Sequence, residues 1–161
     1  MERESIVVNF VRHEFFSVAT DVNFGNKVQG GNVMQWIDRA GLACAMQWSK
    51  SYSVTASISN VSFLKSIEIG DVVRVEAVII HTGTTSRHIA CDVFSKKATD
   101  ESFIKNTHCI LVFVATDANG HKVPVPKWIP ETEDQKNQEA YAIQIMNFNK
   151  EIEVKMKVHL Q

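Results

Sequence analysis

At 161 residues, with 45% hydrophobic and 22% charged residues, the chain has the length and composition of one soluble domain with a sizeable core. A net charge of −1 provides no basic field for nucleic acid or for an anionic membrane surface. No run approaches the ~20 apolar residues of a membrane span, and "MERESIVVNFVRHEF" has no signal-peptide core, so a cytoplasmic location is expected.

In chain order, "SIVVNFV" reads as a short strand and "TDVNFGNKVQGG" as a loop. From Asn32 to about Trp48 the pattern is helical, with Val33, Ile37, Ala40, Cys44 and Trp48 at spacings of three and four. Apolar side chains take up more than half of that helix's circumference, so other structure should wrap around it. Four strands follow, "VTASISNVSFL", "VVRVEAVIIHT", "TSRHIACDVFSK" and "NTHCILVFVAT", with turn signals between them. "DANGHKVPVPKWIP" is a turn and an extended segment, and "PETEDQKNQEAYAIQIMN" opens a second helix on Pro and acids. The tail "EIEVKMKVHLQ" alternates strictly, which predicts a strand on a sheet edge of a neighbouring subunit, or else a mobile tail.

One buried helix followed by strands with short connections predicts an α+β fold, an antiparallel sheet curled around the helix. Residues 1–130 would form the domain, and 131–161 a C-terminal helix and tail packed on it or on a neighbour. Cys44, Cys91 and Cys109 are odd in number, widely spaced and in apolar runs, so they read as buried reduced thiols. The six histidines show no metal-ligand spacing.

Two features carry chemistry. Gly30 and Gly31 stand where the loop becomes the helix, whose first N–H groups lack internal partners and favour negative charge. Such an end can stabilise an oxyanion; the alternative is a tight turn that needs two small residues. Asp38 sits at the edge of the apolar arc, with Met34 and Leu42 at i±4 and no base at that spacing to offset it, the adjacent Arg39 pointing about a quarter-turn away. Partial desolvation would suit it to general-base work, whereas a carboxylate bonded to a neighbouring strand is the other reading. Seven residues separate Gly31 from Asp38, about 10 Å of helix, too far to serve one carbonyl within a chain. A two-fold dimer with antiparallel helices would bring Asp38 of one copy to Gly31 of the other.

The stretch "NFGNKVQGGNVMQWIDRAG" resembles the signature of hotdog-fold acyl-CoA thioesterases. The resemblance continues, over Asp21 to Gln135, through "VTASISNVSFLKSIEIGDVV", "HTGTTSRHIACDVF" and "VFVATDANGHKVPVPKWIPETEDQ". It implies a hotdog fold, an acyl-CoA substrate, no further cofactor or metal, and composite sites in a homodimer often assembled to tetramers or hexamers. It further implies Asp38 as general base or nucleophile, Asn23 from the partner chain as an orienting group, and the Gly31 N–H as oxyanion donor beside Gly30. Thr84, Ser86 and Arg87 match the region near the CoA nucleotide. Lys65 and Arg87 become phosphate partners, a solvated surface role being the alternative for each. Asn26 stands where the family commonly has Gly, and Ser66 where it has Pro.

Acyl-CoA hydrolysis is the reading that results. A non-catalytic acyl-CoA-binding module would share the fold signal. An enoyl-CoA hydratase of the same fold would need an Asp-x-Asn-x-x-His motif; Asp21 and Asn23 are present, but Asn26 replaces the histidine. A serine hydrolase lacks its G-x-S-x-G elbow here.

Overall fold

A computed structural model of the chain describes residues 8–161. Five strands, β1 (Phe10–Phe16), β2 (Tyr52–Ile58), β3 (Val72–Thr82), β4 (Ser86–Lys96) and β5 (Ile104–Thr116), form one antiparallel sheet in the order β1-β3-β4-β5-β2. The sheet curls around helix α1 (Gly30–Ser49), and a second helix, α2 (Glu133–Met156), lies on its outer face against β3. This is the hotdog architecture, as expected.

Sequence chemistry explains α1. Val33, Ile37, Ala40 and Cys44 are buried, with Trp36 and Ala45 beside them. They pack on Val73, Val75, Ala77, Ile89, Val93, Leu111 and Phe113 from the concave face of the sheet. Each fully buried branched side chain contributes roughly 1.5–3 kcal/mol, which outweighs the modest helix propensity of a run with three glycines and two β-branched residues. Gly41 is small because Phe113 occupies the space: an added Cβ would lie 2.8 Å from its ring. Lys50 ends the helix in the left-handed region at φ 52°, its N–H bonded to the Met46 carbonyl.

All three cysteines are free and buried in the core. Burial pushes the Cys44 and Cys109 thiols up to about 12, and Cys91 well above its usual value.

Thr132 and Gln135 cap α2 reciprocally: the Gln135 N–H donates to the Thr132 hydroxyl, and the Thr132 N–H to the Gln135 side chain. Ala142 packs on Ile80 and Ile110, with Ile145 alongside. His81 meets Glu139 at 2.9 Å and His108 meets the Tyr141 hydroxyl at 3.2 Å, which clasps the helix to the sheet.

Two expectations change. The first strand lies at Phe10–Phe16 rather than over "SIVVNFV", whose first three residues fall outside the described ones. Its inward positions are Val11, His13 and Phe15, while Arg12 and Glu14 form cross-strand ion pairs with Glu76 and Arg74. The tail is helical through Met156, with a 3₁₀ turn at Lys157–His159, and not a strand. Glu, Lys and Met are strong helix formers, Glu151–Lys155 and Glu153–Lys157 stand at i,i+4, and no Gly or Pro interrupts the capped helix. Among the described residues no helix is long and apolar enough to cross a membrane.

Candidate active site

The two glycines are small for different reasons. Neither has a positive φ, so the turn does not demand them. A Cβ on Gly30 would sit 3.3 Å from the Phe63 ring, so this position is filled from within the chain. A Cβ on Gly31 would meet nothing within 4 Å. The chain packs nothing against Gly31, and its backbone stands open at the positive end of a 20-residue helix. Beside it Val28, Gly30, Val33, Phe63, Lys65 and Ile67 line a mostly apolar cavity of about 280 Å³.

Two turns further along α1, half-buried Asp38 accepts a hydrogen bond from the Thr55 hydroxyl at 2.6 Å. Thr55 lies on β2, whose pairing with β5 shifts between Thr55 and Ser57, a bulge that turns the strand locally. β2 is an edge of the sheet, and Tyr52, Val54, Thr55 and Ala56 are exposed along it. The carboxylate therefore stands beside an open sheet edge with one of its oxygens fixed. The sequence alone does not point to Thr55; edge position and bulge, which place its hydroxyl, are properties of pairing rather than of composition.

Asn23 sits in the loop ahead of α1. Its Oδ1 accepts from the Gly25 N–H at 2.9 Å and the Lys27 N–H at 3.4 Å, and its own N–H donates to the Lys27 carbonyl. With Oδ1 committed to backbone donors, Nδ2 is the group left to face a ligand, and it makes no hydrogen bond among the described residues. Asn26 closes this turn at φ 56°, a left-handed conformation that Asn tolerates, which accounts for an Asn where the family commonly has Gly. Lys27 is ion-paired to Glu68, whose other oxygen holds Lys97 at 2.5 Å, so the loop is anchored to the β2–β3 connection. Those two ammonium groups hold the Glu68 carboxyl down at about 2.

Asp21 accepts the Val18 N–H on one carboxylate oxygen at 2.8 Å and caps a short turn. With Asn26 in the turn, the hydratase motif lacks its histidine.

The residues matched to the nucleotide region divide. Lys65 is exposed at the cavity beside Gly30, whereas Thr84 and Ser86 belong to the β3–β4 hairpin, Thr84 exposed and Ser86 half-buried. Arg87 departs from expectation. It is fully buried, with Nη1 donating to Ser49 at 3.2 Å and Nη2 to Ser53 at 2.5 Å. Burial lowers it to about 10, and it remains charged near the C-terminal end of α1, where the dipole favours a cation. Its Nε has no hydrogen-bond partner, and the guanidinium lies inside the chain rather than on its surface. Apolar neighbours in "TSRHIACDVF" were the available signal for that burial.

A single chain does not gather these groups. Gly31 and Asp38 are about 10 Å apart along α1, and the Arg87 end of the helix is about 28 Å from Gly30 at ~1.5 Å per residue.

A curled sheet around one helix defines a hotdog protein, with an open glycine N-terminus and a fixed carboxylate on that helix as its candidate site. The thioesterase superfamily model matches residues 25–101. Over 131 residues the chain is 36% identical to the uncharacterized acyl-CoA thioester hydrolase YkhA of Bacillus subtilis, covering 81% of this chain and 76% of that protein. An acyl-CoA hydrolase from Staphylococcus aureus, solved with butyryl coenzyme A, coenzyme A and coenzyme A disulfide, superposes with a TM-score of 0.87 at 26% identity, covering 94% of this chain and 93% of that one. Variants of that enzyme with an Asn, an Asp or a Thr replaced by Ala have also been solved. A hexameric acyl-CoA thioesterase superposes at 0.84 with 30% identity, covering 89% and 92%. The chain belongs to the hotdog-fold acyl-CoA thioesterase family and is a thioester hydrolase.

Proposed function

We propose that the chain hydrolyses acyl-CoA to a carboxylic acid and CoA in two equivalent sites composed across a homodimer. The observation that carries this is the Asp38 carboxylate, held by Thr55 at the open edge of the sheet. From the Asn to the Asp is 15 positions, and from the Asp to the Thr 17, both in this chain and among the three substituted residues of the Staphylococcus aureus enzyme. That agreement supports Asn23, Asp38 and Thr55 as one functional set.

The antiparallel pairing follows from the distances. Placing Asp38 of one copy beside Gly31 of the other lets the glycine N–H take the carbonyl oxygen's developing charge while the acid works on the opposite side. Asp38 removes a proton from water as the hydroxide adds to the carbonyl carbon. The carbon–sulfur bond then breaks, the thiolate takes the proton, and acid and CoA leave. In the alternative chemistry for the same residue, Asp38 attacks directly and water resolves the acyl carboxylate. Asn23 faces the site through its Nδ2, as a donor to the carbonyl or to water. In this arrangement the end of α1 near Thr84 and Ser86 overhangs Gly31 of the other copy by about 15 Å, leaving room for a pantetheine arm between thioester and nucleotide. Lys65 is the exposed cation on the entry side. CoA enters as substrate and the chemistry asks for no other cofactor; a cytoplasmic location is part of the same proposal.

The test is release of free thiol from a C2 to C18 acyl-CoA panel by the wild-type chain and by Asp38→Asn. Loss of turnover with CoA binding retained supports the assignment. Binding without thiol release by the wild type would make the protein an acyl-CoA-binding module, and full turnover by the variant would remove Asp38 from the chemistry.

A further inference from the structure

α2 is longer than the sheet it lies on. Ala142 and Ile145 pack against Ile80 and Ile110, but from Lys150 onward every residue is exposed. The stretch Asn149–Leu160 therefore projects as an arm, about 16 Å long if extended at helical rise. An arm of this kind ordinarily carries polar residues all round. This one does not: Phe148 is 59%, Ile152 53% and Met156 51% exposed, and Val154 at 65% and Val158 at 74% are exposed on other faces. They follow Ile145 at spacings of three, four and four, so the stripe that faces the sheet runs on past its end.

The charges beside that stripe are ordered. Glu151 and Lys155 flank it on one side, Glu153 and Lys157 on the other, acids first and bases second on both. None of the four forms an ion pair with another element among the described residues. A second arm laid antiparallel about a two-fold axis near Val154 sets Ile152 of one copy against Met156 of the other. In that register each flank faces the same flank of the other copy, which brings Glu151 and Lys155, and Glu153 and Lys157, within two residues of one height, about 3 Å at ~1.5 Å per residue. A parallel arrangement would set acid against acid and base against base.

We infer that the C-terminal arm is a self-association surface whose partner is the same arm of a second copy, paired antiparallel. The stripe and the charge order are complementary to themselves under one operation, which is what an isologous contact requires. The contact lies on the outer face, away from Asp38 and Gly31, so it joins copies without forming part of the catalytic site and stands independently of the reading of that site.

Charge exchange tests it on the full-length chain. Glu151→Lys with Glu153→Lys makes the arm wholly basic, and Lys155→Glu with Lys157→Glu makes it wholly acidic. Each variant alone is expected to show a lower mass than the wild type by light scattering, because each arm then repels its own copy. An equimolar mixture of the two, or all four exchanges in one chain, is expected to restore the wild-type mass. A chain stopped after Asn149 should match the lower mass with unchanged thiol-releasing activity and circular dichroism. Wild-type mass for both single-sign variants, or failure of the mixture to reassemble, would overturn the inference, and neither result depends on the activity.

Discussion

Substituting Gly31 with Ala separates the catalytic reading of the helix start from the structural one, because the two predict opposite signs. In the fold an added methyl meets no atom within 4 Å, and the backbone there is within reach of any L-residue. Replacing a helical Gly by Ala then favours the folded state by about 0.5–1 kcal/mol, through a less disordered unfolded chain and better helix propensity. The chemistry moves the other way. The carbonyl oxygen must come within about 3 Å of the Gly31 nitrogen, and a methyl one bond from Cα stands at that approach. Loss of one oxyanion donor costs roughly 2.7–4 kcal/mol, or 10²–10³ in kcat. Urea denaturation at fixed protein concentration should therefore show a raised midpoint with unchanged slope, while thiol release falls by two to three orders of magnitude. Gly30→Ala supplies the contrast, since its methyl stands 3.3 Å from the Phe63 ring, which must shift by a few tenths of an ångström to admit it. A Gly31→Ala enzyme of wild-type kcat would refute the oxyanion role.

Thr55→Val keeps the shape and removes the hydroxyl at 2.6 Å from Asp38; a hydrogen bond to a charged group is worth about 1.5–3 kcal/mol, so kcat should fall roughly 10- to 100-fold, with Thr55→Ser recovering most of it. His88 is buried against His81, and burial first, then that neighbour, lowers it to about 4. A folded-state value below the unfolded one makes the unfolded chain the better proton acceptor, so stability is complete above the unfolded value near 6.5 and is lost as the pH falls toward 4. The loss reaches about 3 kcal/mol at most, read as a urea midpoint that drops between pH 7 and 5 and drops less in His88→Gln. Gly41→Ala places a methyl 2.8 Å from the fully buried Phe113 ring; overpacking of about 1–3 kcal/mol exceeds the helix gain, so thermal unfolding should come several degrees earlier.

The parts of this fold that could be read from sequence are those where burial dictates the pattern. β3 runs over the expected "VVRVEAVIIHT" because its inward residues alternate from Val73 to Ile79, up to the bulge before His81. α1 appears where its spacings of three and four place it, because the sheet encloses it on several sides. Where burial stops, pattern misleads. β1 carries paired charges on its outer face and so looks less like a strand than the apolar run before it. The tail alternates like a strand but has no sheet to join, and propensity decides it. In the site, Asp38 and Gly31 were legible because an acid and an open glycine are each out of place on a core helix. Thr55 depends on a bulge, and the burial of Arg87 on how β4 faces the end of α1, and both are relations between distant segments.

The three interior thiols bear on what the enzyme lives with. Each turnover liberates a thiol, and thiols pass readily into mixed disulfides wherever a thiolate is exposed to attack or be attacked. Cys44, Cys91 and Cys109 are shut away and held protonated at neutral pH, so neither the product nor its oxidised dimer finds a sulfur on the folded chain to exchange with. A catalyst whose product is a thiol thus offers it nothing to bond to, and a thiol reagent added to the reaction counts product alone.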